Sequence, residues 1–508
     1  MSSLSILMVA AEMAPFAKEG GLGDAVGALA KALSSRGMDI RAVIPLYGRI
    51  DRKAWGLRMA GHPLQIPMGP LGRLECRVCE GGLPDSGVRV HFIDYPPFFS
   101  RGGIYQEDGE GYPDNGERFV LLSKAALELA RREGWRPDVV HVHDWHTAAI
   151  PVLLDALYRD DAALAGTASV LTLHNMLQQG VFDKGLMDVL EIGWDRFHVG
   201  ELEFFDRVNL LKAGIRLATV INTVSPTHAR EIQLREFAYG IEGVLRDRAA
   251  DLIGILNGAD YEEWNPETDP RIAANFSAED LSGKGLCKAD LQRALVLQER
   301  PDAPLLGMVS RLVGQKGIDL LAEVLPRILD LDVQVALLGS GEPWAHAFFE
   351  ELARQRPGRF ACRIGYDETL SHRIFAGADF FLMPSRFEPC GLTQMYAMRY
   401  GTLPVVRATG GLNDTVENFD EKTLEGTGFT FHDATSSALY GTIRWAIRTY
   451  STRPEALEKP IRRAMAKRFS WQEAAERYEG LYRMALDRRG SGKASNEAGG
   501  KARTRREA

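Results

Sequence analysis

Apolar residues along the chain fall into two kinds of run. Short continuous runs sit at 4–10, 41–45, 139–143, 170–174 and 220–224, and each predicts a buried strand. Longer stretches with helical spacing lie between them, as at 24–35 and 116–133. Near residue 305 the pattern begins again. Strands are predicted at 305–310, 333–338, 379–384 and 403–407, and helices at 318–329, 344–355 and 392–399. Buried strands alternating with amphipathic helices predict α/β architecture with parallel sheets, here in two doubly wound units.

The break between the units is predicted near 245–260, where an apolar run precedes the turn-rich Asn257-Gly258-Ala259-Asp260. The expected domains are 1–250 and 251–469. A last helix over 470–487 opens on Ser470 and Glu473, the spacing of a capping box. Residues 55–115, rich in Gly and Pro, are expected to form loops and a hairpin beside the first sheet. From 488 to 508 the composition turns to Gly, Ser, Lys and Arg, which predicts a disordered basic tail.

Charge sharpens this picture. The chain of 508 residues has a net charge of −7. Residues 488–508 carry seven Lys or Arg against two Glu, so the body carries −12. That balance argues against nucleic acid as a partner. No apolar run approaches the ~18 residues of a membrane span. The apolar N-terminus lacks a basic stretch before it and reads as a first strand rather than a signal peptide. Five cysteines form no disulfide framework, so a cytoplasmic protein is expected.

Five segments carry candidate chemistry. Lys18-Glu19-Gly20-Gly21-Leu22-Gly23-Asp24 follows a strand and opens a helix. It fits an anion-binding loop or a plain strand-to-helix turn. His141-Val142-His143-Asp144-Trp145-His146 suggests a metal at first sight, but no second ligand cluster accompanies it. Its place at a strand's C-terminal end fits a ligand crevice, with Asp144 accepting from hydroxyls, or a polar helix cap. His174 stands just past another strand, in a structural or a catalytic role. Arg311 and Lys316 could converge on a diphosphate or form an exposed basic turn.

The fifth segment runs from Pro384 to Thr393. The N–H groups of Gly391, Leu392 and Thr393 would head a helix and face an anion, and Glu388 could bind hydroxyls or oppose developing positive charge. Thr409-Gly410-Gly411 would supply a second such turn. Cys76-x-x-Cys79 lacks a partner pair for zinc. Cys390 reads as a packed thiol beside the site rather than a nucleophile.

In order and spacing these segments resemble the bacterial glycogen synthase and plant starch synthase family over residues 4–483. PSRFEPCGLTQMYAMRYGTLPVVRATGGLNDTV, SRLVGQKGIDL and LNGADYEEWNPETDP are the most specific stretches, supported by KEGGLGD, HVHDWHTA and PDNGERF. The resemblance implies the GT-B fold, two Rossmann-like domains facing across a deep cleft. It implies retaining transfer of glucose from ADP-glucose to the non-reducing end of an α-1,4-glucan, with no metal and no cofactor.

Carried over residue by residue, it assigns the diphosphate to Arg311 and Lys316, joined by Lys18 and the backbone of Gly20 and Gly21. Gly391, Leu392 and Thr393 offer N–H groups, with Cys390 beside them. His174 contacts the transferred glucose near its reacting carbon, and Asp144, Asn257 and Glu388 hold its hydroxyls. Asp24 lies near the ribose and Tyr366 stacks on adenine. His174, Glu388, Arg311 and Lys316 form the catalytic set.

Three departures stand out. Glu19 replaces the usual Thr after Lys18, Gln178 replaces an aromatic residue before Gln179-Gly180, and Tyr396 stands where the wider fold class carries a second Glu. Other readings are a retaining transferase using UDP-glucose or a small acceptor, and a glucan-binding scaffold without catalysis. A nicotinamide-linked dehydrogenase is a further reading, although no dinucleotide fingerprint follows the first strand.

Overall fold

The computed structural model describes residues 3–504. The chain divides into two compact units. One comprises Met1–Val224, Ala229–Ile255 and Trp471–Ala508, and the other Ser225–His228 and Leu256–Ser470.

The first unit is built on one sheet. Its strands are β1 (Ser5–Val9), β2 (Asp39–Pro45), β3 (Arg73–Gly82), β4 (Arg89–Asp94), β5 (Val139–His143), β6 (Ala168–Leu173), β7 (Val220–Thr223) and β8 (Leu252–Gly254). Their spatial order is β8-β7-β6-β5-β1-β2-β4-β3. Pairing is parallel from β8 to β4, β3 runs antiparallel to β4, and the short strands Arg58–Met59 and Leu64–Pro67 pair antiparallel with β3 beyond it. β5 is buried at every position, as expected of a strand covered on both faces.

The segment 55–115 departs from the expectation. Its hairpin extends the sheet itself, because β4 pairs with β2 from Arg41↔Arg89 to Pro45↔Ile93. Arg89, His91 and Asp94 interrupt the apolar run there, yet His91 and Asp94 are buried, so the strand has no clean hydrophobic signature.

The last helix, Trp471–Thr504, belongs to the first unit. Tyr478 and Tyr482 are almost wholly buried against the sheet. Burying a side chain of this size is worth about 1.5–3 kcal/mol, and both hydroxyls find partners. Tyr478 pairs with Asn222 Nδ2 at 3.0 Å and Tyr482 with His141 Nδ1 at 2.8 Å. The helical backbone continues past Arg488, where the sequence predicts a disordered tail. Residues 505–508 of the expected tail lie outside the described residues.

The second unit holds six parallel strands: β9 (Leu305–Leu312), β10 (Gln334–Gly341), β11 (Phe360–Ile364), β12 (Phe380–Met383), β13 (Leu403–Arg407) and β14 (Phe429–Phe431). They lie in the order β11-β10-β9-β12-β13-β14. β9 is longer than its apolar run, since its pairing with β10 continues to Leu312↔Gly341. Arg311 therefore sits on a strand rather than in a loop.

Each sheet reverses its winding once. In the first unit the chain proceeds from β1 outward through β2 and β4, then returns to the other side of β1 with β5. In the second, β9 leads through β10 to β11, then β12 returns beside β9. Ligand crevices open at the C-terminal ends of strands at such reversals. The segments there are the loop 10–20 and the short helix Asp144–Thr147 in the first unit, and the loops 313–317 and 384–392 in the second.

Candidate active site

In the second unit the two switch-point loops are drawn together by glycine. Gly317 has φ 67°, and a Cβ there would lie 2.0 Å from the Pro384 carbonyl oxygen. Only glycine accepts both the conformation and the approach. The main-chain N–H of Arg386 then donates to the Gln315 carbonyl at 2.9 Å. This zipper brings Lys316 Nζ to 2.5 Å from Glu388 Oε2, and Ser385 Oγ donates to the same oxygen at 3.0 Å. Glu388 is only 6% exposed.

Arg311 remains exposed, with Nη2 3.5 Å from Gln315 Oε1. A cavity of 210 Å³ opens here, lined among others by Ser310, Arg311, Lys316, Ser385 and Thr393. It combines two cations, a hydroxyl and the start of the helix Thr393–Arg399. Such a concavity suits an anion.

Glu388 is also braced from behind. At Gly410, φ is 45° and a Cβ would sit 2.0 Å from the Glu388 carbonyl oxygen. The Gly411 N–H donates to that same oxygen at 3.0 Å. The sequence predicts an anion-binding turn at Gly410-Gly411; this N–H is instead taken by the Glu388 backbone, and the turn shapes the carboxylate loop. Gln394, wholly buried, ties the next turn. Its Nε2 donates to the carbonyls of Cys390 at 3.2 Å and Gly391 at 3.0 Å. Burial pushes the Cys390 thiol up to about 12, which rules out a thiolate nucleophile. The Asn257 N–H donates to Cys390, which places Asn257 beside this loop. Tyr366 is 85% exposed at the rim of a separate 310 Å³ cavity that includes Arg363 and Asp367.

In the first unit the loop after β1 folds over a buried acid that sequence reasoning passed over. Glu12 Oε2 accepts the N–H groups of Glu19 at 2.6 Å and Gly20 at 3.2 Å, and Oε1 accepts from the Tyr105 hydroxyl at 2.5 Å. Burial holds its carboxyl above the usual range. The Gly20 N–H is thus engaged within the protein, and the anion-facing donors begin at Gly21, where the helix Gly21–Ser35 starts. Lys18 Nζ lies 2.9 Å from Asp24 Oδ1, both half-exposed. Glu19, the unusual residue of this loop, pairs with Arg49 at 3.1 Å.

The loop after β5 begins at Asp144, whose φ of 54° is a conformation that Asp tolerates better than most residues. Its Oδ1 accepts the N–H of His174 at 2.7 Å, joining the ends of β5 and β6. Burial pushes the Asp144 carboxyl up to about 7. His174 Nε2 lies 3.0 Å from His143 Nδ1. Burial holds His141, His146 and His174 at about 3, and His143 well below its usual value, so all four rings are neutral near pH 7. His141 and His143 pack in the strand interior, as their spacing suggests. Sequence reasoning also missed Arg118, wholly buried with Nε on the Phe98 carbonyl at 2.8 Å. A charged residue inside the apolar face of a helix was the available signal.

Comparison with known proteins assigns the fold. A model of the starch synthase catalytic domain matches residues 5–247, and a model of group 1 glycosyl transferases matches residues 295–465. The chain is 57% identical to a glycogen synthase of Geobacter metallireducens, over 96% of this chain and 97% of that one. The chain belongs to the glycogen and starch synthase family. A second relative, a glycogen synthase of Geobacter sulfurreducens, is 56% identical over 96% of this chain and 98% of its own. Among solved structures, the catalytic domain of starch synthase IV from Arabidopsis thaliana, bound to ADP and acarbose, superposes with a TM-score of 0.87. It is 36% identical and covers 96% of this chain and 100% of its own.

Membership of the synthase family makes this chain a glycosyltransferase with the GT-B fold of two Rossmann-like domains. Within the second unit, Arg311, Lys316, Glu388 and Thr393 gather about one cavity, with Cys390, Gly391, Leu392 and Asn257 alongside. Tyr366 stands at another cavity. Within the first unit, Lys18 and Asp24 pair directly, Gly20 and Gly21 border them, and Asp144 holds His174. No helix among the described residues is long and apolar enough to cross a membrane.

Proposed function

We propose that this glycosyltransferase moves glucose from ADP-glucose to the non-reducing end of an α-1,4-glucan, retaining the anomeric configuration. The observation that carries the reading is the Lys316–Glu388 pair beside Arg311 at the switch point of the second sheet. A diphosphate entering that cavity meets two cations and a helix start. Lys316 then divides its charge between Glu388 and the phosphate. Arg311, exposed on β9, swings onto the phosphate oxygens, and Tyr366 stacks on the base. Support for ADP and an α-glucan comes from the starch synthase IV complex.

The reaction breaks the bond between the glucosyl C1 and the diphosphate oxygen and forms a bond from C1 to the acceptor O4. The acceptor hydroxyl proton passes to the departing phosphate, on the same face of the sugar. Negative charge grows on the phosphate while the glucosyl ring becomes cationic. Lys316 and Arg311 stabilise the first, supplying the charge that a metal would otherwise bring, and Glu388 opposes the second. His174, uncharged at neutral pH, hydrogen-bonds the glucose without repelling its developing positive charge. Asp144 and Asn257 hold its hydroxyls, and Lys18, Gly20, Gly21 and Asp24 serve the nucleotide. The five unpaired cysteines support a cytoplasmic setting.

The test is transfer of labelled glucose to glycogen from ADP-glucose and UDP-glucose in parallel. Faster labelling from ADP-glucose is expected. Preference for UDP-glucose overturns the donor, and failure of both donors overturns the reading.

A further inference from the structure

Behind the helix Thr393–Arg399 lies a second cluster that the transfer reaction does not use. Glu368 and His372 sit one turn apart on the helix Glu368–Gly377, and Glu263 approaches from the loop 260–271, distant in sequence. One ligand atom from each lies within 4.8 Å of the others. The His372 side chain is wholly buried. Its Nδ1 is 2.7 Å from Asp269 Oδ2, itself buried, while Nε2 has no hydrogen-bond partner. Trp264 stacks on the ring at 3.9 Å and 9°, which fixes its plane.

We propose that Glu263, Glu368 and His372 bind a divalent transition-metal ion, with Zn²⁺ the best fit. One imidazole nitrogen and two carboxylates are a donor set that zinc accepts, with water completing four-coordination. The Asp269–His372 contact is the outer-shell arrangement that orients a metal-binding imidazole and reserves its other nitrogen for the ion. A carboxylate oxygen of Glu263 lies within 4.8 Å of one of Glu368, so two carboxyls share a site that calls for a proton or a cation. Arg271 supplies only part of that charge, with Nη2 3.6 Å from Glu263 and 3.4 Å from Glu368.

A cluster in the other unit shows what such a site lacks. Glu80, His91 and Glu133 also converge, and both ring nitrogens of His91 are unpartnered. There the charges of Arg41, Arg89 and Arg132 bear on His91, and Arg41 holds Glu133 at 2.6 Å. That surplus of positive charge opposes a cation.

The ion would act as a brace. Trp264 stacks on Tyr396 at 4.5 Å, and Arg399 Nη2 donates to Asn265 at 2.6 Å and Glu267 at 2.8 Å. The metal would fasten the loop 260–271 to the helix Glu368–Gly377, so that Trp264 and Asn265 are held against the helix that follows the Glu388 loop.

The test is calorimetric titration of the EDTA-treated, desalted full chain with ZnCl₂, together with the visible spectrum of the Co²⁺ form. One equivalent should bind, with Co²⁺ bands of low coordination number. Glu263→Gln/Glu368→Gln should weaken binding by about 100-fold. This double variant leaves the buried Asp269–His372–Tyr400 contacts intact, and far-UV circular dichroism checks its fold. Absence of a binding isotherm in the natural chain overturns the proposal, as does equal affinity in the folded double variant.

Discussion

Lys316 and Glu388 meet from the two loops that flank the reversal of the second sheet, Nζ to Oε2 at 2.5 Å, with Ser385 sharing the carboxylate oxygen. Under the proposed function, this contact holds the lysine for an incoming phosphate and the carboxylate for the reacting sugar.

Removing either partner separates these duties. Glu388→Ala and Lys316→Ala are each expected to lower kcat at least ~100-fold, the scale of losing a preorganised electrostatic group. Lys316→Ala also leaves Glu388 buried without its cation, so its melting temperature should fall further than that of Glu388→Ala. Steady-state rates and thermal scans check both. Near-native kcat in either variant removes that residue from the reaction.

His174→Ala is expected to lower kcat at least ~100-fold, with the far-UV circular dichroism spectrum unchanged. Since burial keeps this ring neutral down to about pH 3, the pH profile of kcat/KM from 5.5 to 8 should contain no limb that disappears in His174→Asn. A limb lost in that variant would show that the ring titrates during the reaction.

The buried histidines make acid destabilising. Between pH 6.5 and about 3 the unfolded chain takes up protons that His141, His143, His146 and His174 refuse in the fold. Stability is therefore intact above 6.5 and falls as pH drops through that window. Asp144, raised to about 7, holds a proton that its unfolded form releases, and offsets one histidine. Each uncompensated group contributes up to about 1.4 kcal/mol per pH unit. The melting temperature should drop steadily from pH 7 to 5; a constant or rising value contradicts this account.

Glu19 and Arg49 form a testable pair. Arg49→Ala frees the Glu19 carboxylate beside Lys18 and the helix start, so KM for the donor should rise several-fold with kcat little changed. Adding Glu19→Thr should restore it. A double variant no better than Arg49→Ala alone would mean that Arg49 acts without Glu19.

The glycines of the two loops should respond oppositely. Gly317→Ala and Gly410→Ala place a Cβ 2.0 Å from a carbonyl oxygen at positive φ, and should cost both stability and activity. A Cβ at Gly20 meets nothing within 4 Å. Gly20→Ala should keep its melting temperature and raise only the donor KM, since under the proposed function the nucleotide enters that open space. An unchanged KM would leave the glycine unexplained.

The central strands were legible because they are buried on both faces, which makes them apolar runs. β4 was not, since His91 and Asp94 break its run although both are buried. Nor were β11 and β14, the outermost strands of the second sheet, one half-exposed and the other only three residues long. At the site, residue type and spacing singled out Arg311, Lys316 and Glu388, which the fold brings together. The groups that hold them stayed hidden: Glu12 and Gln394 act through backbone N–H and C=O groups far along the chain, and such contacts leave no local period. The Gly410-Gly411 turn was misread for the same reason, since one glycine pattern serves an anion or a close carbonyl equally well.

The crossing of Gly317 with Pro384 and of Gly410 with Glu388 fixes the main chain around the proposed phosphate site, whereas the proposed base site at Tyr366 is a separate cavity. At the phosphate end, single substitutions collide with main chain, so that end tolerates almost no drift. At its own cavity Tyr366 is exposed, and there side chains can be exchanged without moving the backbone. A change of nucleotide preference is therefore reachable in small steps, each leaving the phosphate machinery untouched.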